Sequence, residues 1–185
     1  MKVIDDLIEK FSEDVVLSKT KEFRPNANDL RQIYDILNFR LFDNMLKNIP
    51  VTAEHSKNIA DRLNIYNEVS RGDELKLDDV NVYGVHLAAV NETEAVNGKT
   101  TRISIFDNII MLNRDLMVPG VFIFIVSSLC HEMIHYCNSF SDELREHVLK
   151  SCNDPDYKYD SHNNPVFQEK MSQANDNGLH VTKTV

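Results

Sequence analysis

The stretch SSLCHEMIHYC, residues 127–137, decides how this chain folds. It continues the apolar run VFIFIV at 121–126 and then places His131, Glu132 and His135 in the same segment. A carboxylate buried there without a partner costs several kcal/mol, and a bound cation is the obvious offset. On a helix, residues four apart lie one above the other on one face. His131 and His135 therefore aim their imidazoles at a single point. Glu132 sits about 100° further round the axis, where it flanks that point without occupying it. This is the geometric content of HExxH, in which two histidines hold Zn²⁺ and the glutamate acts as general base. The competing interpretation is a helix with two ordinary polar histidines. The apolar flank weighs against it, because it leaves Glu132 without compensation.

Working outward, the periodicity predicts a helix from about 119 to 138, with Pro119 and Gly120 opening it. Upstream, 80–90 and 100–111 are rich in β-branched and aromatic residues and alternate in part. Asn97-Gly98 between them is a turn signal, so the pair is expected to form a hairpin with Ile103 and Ile105 on its buried face. Val3, Ile4, Leu7, Ile8 and Phe11 recur at helical spacing. Leu30, Ile33, Tyr34, Leu37, Leu41, Phe42 and Met45 do so over four to five turns, with Asn28 as the expected N-cap. A strand over 51–55, a helix over 59–69 and a turn at 71–74 are expected between this helix and the hairpin. Downstream, 142–149 is expected to be a short helix and 153–160 a polar loop. Residues 165–175 are expected to form a last helix stopped by Asn177-Gly178, with 179–185 as a terminal strand. The order predicts a single α+β domain over 1–185, with a small sheet on one side and helices on the other.

Composition bounds the rest. The chain has 185 residues, of which 42% are hydrophobic, enough for a real core in one domain. Its net charge of −9 argues against broad non-specific nucleic-acid binding, which needs Lys and Arg clusters. Three cysteines, Cys130, Cys137 and Cys152, form no CxxC pair and no secreted disulfide framework. Cys130 and Cys137 are expected to pack as small hydrophobes. The longest apolar run, 118–130, is too short to span a bilayer. The N-terminus lacks the uninterrupted apolar core of a signal peptide. A cytoplasmic, reducing setting without membrane attachment is expected.

A catalytic zinc takes three protein ligands and an open position. A metzincin continuation needs a glycine at 138 and a histidine at 141, whereas the chain has Asn138 and Ser141. Glu146, His147, His162 and Glu169 all stand as candidates for the third ligand. His55, His86 and His180 are isolated and are expected to be surface or strand histidines. Tyr136, Tyr157 and Tyr159 are candidates for stabilising an oxyanion, with a core or surface role favoured for each.

Residues 119–180 resemble the SprT-like domain, the zinc metallopeptidase fold of the Spartan-type proteases. In that family an HExxH helix is followed by a loop and then by a histidine with a nearby proline and phenylalanine opening a further helix. Here these are His131-Glu-Met-Ile-His135, then His162-Asn-Asn-Pro165-Val-Phe167, then NDNGLHVTK at 175–183. The segment IYDILNFRLFDNMLKNIPV at 33–51 is similar to the family's opening helix, and 82–90 with 103–110 sit where the family has its sheet. The resemblance implies a zincin-like fold with residues 1–25 as an N-terminal helical extension and an insertion at about 139–158. It implies zinc held by His131, His135 and His162. It also implies Glu132 as general base toward a zinc-activated water, and protein or peptide substrates, among them proteins on DNA. The family's cysteine zinc ribbon has no counterpart here. A non-catalytic module stabilised by zinc is the alternative, and a fourth protein ligand would mark it.

Overall fold

Asn26 begins the first long helix, α3 (Ala27–Leu41), of the computed structural model. The structure describes residues 2–70, 83–96, 99–117, 121–139, 146, 149, 150, 153, 154, 156 and 161–183. The Asn26 side chain accepts from the amides of Asn28 and Asp29, while the Asp29 carboxylate accepts from the amide of Asn26. This reciprocal capping box replaces the expected cap at Asn28, which lies inside the first turn. The helix also ends earlier than its apolar pattern suggests. Asp43 and Asn44 take positive φ of 52° and 59°, and the Asn38 amide side chain exchanges two hydrogen bonds with the backbone of Leu46. Met45 consequently lies 65% exposed.

Two shorter helices precede it, α1 (Val3–Phe11) and α2 (Glu13–Val16). Val3 and Leu7 are fully buried in the main core. Phe11, Phe23 and Phe122 form an aromatic cluster with centroids 4.8–5.9 Å apart. An ion pair between Arg40 and Asp6 closes the outer side of the α1–α3 contact.

Among the described residues the sheet has three strands, β1 (Val51–Glu54), β2 (Gly84–Val96) and β3 (Lys99–Asn113), in the order β1-β3-β2. β1 runs parallel to β3, and β2 pairs with it antiparallel as the expected hairpin. The strands extend through much of the segment between the two predicted runs. The turn at 97–98 and the side chains of Ile103 and Ile105 lie outside the described residues.

Alternation along β3 sends Ile110 and Leu112 into the main core. Ile109 and Met111 point the other way, against Ile59, Ala60 and Leu63 of α4 (Ser56–Ser70). Helices therefore cover both faces of the sheet, not one. The short helix α5 (Arg114–Met117) follows β3 directly, and the Asp115 carboxylate accepts from the amide of Ser56 at the start of α4.

At the centre lies α6 (Phe122–Asn138), with Phe122, Ile125, Val126, Leu129, Cys130, Met133 and Ile134 buried. It starts at Phe122, after the expected Pro119 opening, and 118–120 lie outside the described residues. The last helix, α7 (Pro165–Asp176), is capped by the Asn164 side chain accepting from Val166, with Pro165 at its first position. Gly178, at φ 94°, turns the chain out of it, as Asn177-Gly178 predicted.

Residues 179–183 do not form the expected strand. The Leu179 amide donates to the Ala174 carbonyl, and the next backbone groups bond to side chains, Val181 with Asn175 and His180 with Ser127. The turn at 71–74, most of the short helix at 142–149 and most of the loop at 153–160 fall outside the described residues. Among the described residues, no helix is long and apolar enough to cross a membrane.

Candidate metal centre

His131 and His135 occupy one face of α6, a helical turn apart, with their rings 4.8 Å apart between centroids. His162 reaches them from a 3-10 turn, Ser161–Asn163, immediately before the Asn164 cap of α7. The Gln168 side-chain amide donates to the His162 carbonyl and holds that turn against the helix. Phe167 is fully buried beneath the group, its centroid 5.0–5.2 Å from all three imidazoles.

The Nε2 atoms converge. His131 Nε2 lies 3.0 Å from His135 Nε2 and 3.3 Å from His162 Nε2, and one ligand atom from each histidine falls within 4.8 Å of the others. A tetrahedral ion with bonds of about 2.05 Å places its nitrogens about 3.3 Å apart, so the spacing fits. The protonation states fit as well. His131 Nδ1 is 2.9 Å from the backbone oxygen of Thr182. A carbonyl only accepts, so Nδ1 carries the proton and the Nε2 lone pair faces the cluster. Burial depresses His131 to about 4, opposed by that same backbone bond. Burial depresses His135 to about 3, with its histidine neighbours adding to the effect. Both are neutral near pH 7, the form in which imidazole ligates. The three histidines can therefore hold a metal ion.

No protein-family model, curated protein or solved structure matches this chain. What the centre can do is therefore read from its own atoms.

Glu132 is 4% exposed and points toward β2. The His86 backbone N–H donates to its carboxylate, yet desolvation wins and pushes the carboxyl up to about 8. A cation within a few ångström reverses that balance and favours the ionised form. The approach to β2 depends on Gly84. A Cβ there would stand 3.0 Å from Glu132 Cγ, 3.2 Å from Glu132 Oε1 and 3.1 Å from Leu112 Cδ2. Glycine inside a strand marks such a close approach, so Gly84 was a signal open to the sequence reader.

The other candidates separate cleanly. Glu146 and Glu169 are exposed and lie outside the cluster, and His147, Tyr157, Tyr159 and Cys152 fall outside the described residues. Tyr136 is fully buried in the main core. His55 pairs with Asp115 at 2.7 Å on the surface, and His180 is exposed. Cys130 is a core residue whose thiol burial pushes up to about 12. His86 lies in β2, a strand histidine as expected. Its ring lies tilted 5.3 Å from that of Tyr136, and its backbone N–H anchors Glu132. Thr182 was missed, because it acts through a backbone carbonyl that no motif records.

Proposed function

We propose that this chain is a zinc metallopeptidase of SprT-like, zincin type, with His131, His135 and His162 as metal ligands and Glu132 as general base. The observation that carries this is the convergence of three imidazole nitrogens beside a buried carboxyl anchored to a strand. Three nitrogen ligands, with no fourth protein ligand among the described residues, suit zinc, which lowers the pKa of a water toward about 7 and polarises a carbonyl when bound. The chain's own residues supply the remainder. The Thr182 carbonyl sets the His131 tautomer. Gly84 and the His86 amide hold the Glu132 carboxylate in place to take a proton from the attacking water and return it to the departing nitrogen.

A peptide substrate suits the surroundings. Among the described residues β2 is one of the two edge strands of the sheet, and an extended peptide can add to such an edge, here on the strand whose His86 amide bonds Glu132. Proteins on DNA remain an expectation of the family resemblance alone, and a cytoplasmic setting an expectation of the cysteine count and the N-terminal sequence. A closed structural site needs a fourth protein ligand. Among the described residues the cluster contains three histidines and no carboxylate or thiolate, which favours the catalytic over the structural reading.

The test is cleavage of casein or histone by the zinc-loaded protein. Glu132→Gln should keep the zinc and lose about 10²–10⁴-fold in rate. Undiminished cleavage by that variant rejects the proposal.

A further inference from the structure

We propose that residues 179–183 act as a strap that positions His131, with Asn175 as its clamp, so that docking of the strap and metal binding strengthen each other. This rests on the metal reading above.

The strap is fastened at four points, on α6, on the turn that carries His162 and on α7. Asn175, in the last turn of α7, holds Val181 at two atoms. Its Nδ2 donates to the Val181 carbonyl at 2.9 Å, and the Val181 amide donates to its Oδ1 at 2.8 Å. The His180 amide donates to Ser127 Oγ at 3.0 Å, one turn before His131 on α6. The Thr182 carbonyl accepts from His131 Nδ1. Lys183 Nζ donates to Asn163 Oδ1 at 3.2 Å, beside His162. Leu179 and Val181 bury their side chains in the core between these anchors.

The physical need for the strap is specific. His131 Nδ1 is buried, and a buried N–H without an acceptor is costly. If the strap lifts, the imidazole loses the acceptor that fixes both its tautomer and its ring orientation. Partners of this kind, one shell beyond the ligands, are worth 10–100-fold in metal affinity in other sites, order of magnitude. Asn175 touches neither metal nor substrate, so it is a positioning residue. Because the coupling is a free energy, it runs both ways: an ion that needs a well-oriented His131 also favours the docked strap.

The experiment uses the full chain and Co²⁺ or Zn²⁺ alone, with two readouts. Asn175→Ala should lower affinity for the ion about 10–100-fold and alter the Co²⁺ absorption bands. Urea unfolding of the metal-free protein measures any general loss of stability separately. Ser172→Ala, an exposed change on the same helix, should move neither. In the wild type, adding the ion should slow hydrogen exchange at the His180 and Val181 amides about tenfold or more. That arm needs no variant and stands even if Asn175→Ala fails to fold. A wild type that binds the ion while these amides exchange at an unchanged rate overturns the strap, as does a folded Asn175→Ala with wild-type affinity. A wild type that binds no divalent ion overturns both the strap and the metal reading.

Discussion

Replacing Gly84 by alanine tests whether the general base is set by contact with β2. The added Cβ would meet Glu132 Cγ at 3.0 Å, Leu112 Cδ2 at 3.1 Å and Glu132 Oε1 at 3.2 Å. None of these atoms can yield cheaply. Leu112 is fully buried, and the Glu132 carboxylate is tethered by the His86 amide. Overpacking of this kind costs about 1–3 kcal/mol. For a chain of this length that is a fall in Tm of about 2–12 °C. The nearest atoms to the added Cβ belong to Glu132 and Leu112, not to the histidines, so metal affinity should hold. Thermal unfolding, zinc affinity by chelator competition and casein hydrolysis should be measured on one preparation. The expected pattern is a lower Tm, unchanged affinity and a loss of rate larger than the loss of folded protein. A Gly84→Ala protein with wild-type Tm and rate would refute the packing of the carboxyl against the strand.

Phe167→Ala should destabilise by about 3–5 kcal/mol, the range for a buried phenylalanine, and weaken metal binding by removing the floor under three imidazoles; urea unfolding and chelator competition check the two effects. Stability of the metal-free protein should peak near pH 6.5. Below that value the unfolded chain binds protons that the buried His131 and His135, depressed to about 4 and 3, refuse, so stability falls with falling pH. Between about 4.5 and about 8 the folded Glu132 keeps a proton that the unfolded chain releases, so stability falls as pH rises through that window. Below 6.5 the two imidazoles outweigh the one carboxyl. Urea midpoints from about pH 5 to about pH 9 should trace the peak, and added zinc should flatten its alkaline side by favouring the ionised carboxyl.

Much of this was legible in the sequence where the information is periodic. The apolar columns of α1 and α3, the hairpin and the HExxH pair all follow from spacing. The place of His162 came from the likeness of its His-Asn-Asn-Pro-Val-Phe segment to a family pattern, and the structure brings that histidine to the pair. What was missed depends on single side chains meeting distant backbone. Asn38 ends α3 by binding Leu46, against an apolar pattern that runs on to Met45. Residues 179–183 alternate like a strand, yet Asn175, Ser127 and His131 take their polar groups. The covering of the second sheet face by α4 follows from Met111 meeting Ile59 and Ala60, which no local pattern contains.

The most direct measurement is the metal content of the pure protein, taken by elemental analysis before and after chelation and reloading. The account predicts about one zinc per chain, removed by chelator, regained on reloading and lost in His162→Ala while Glu132→Gln retains it. A folded wild-type chain that takes up no zinc, or a His162→Ala variant that holds it as tightly as wild type, would contradict the three-histidine centre.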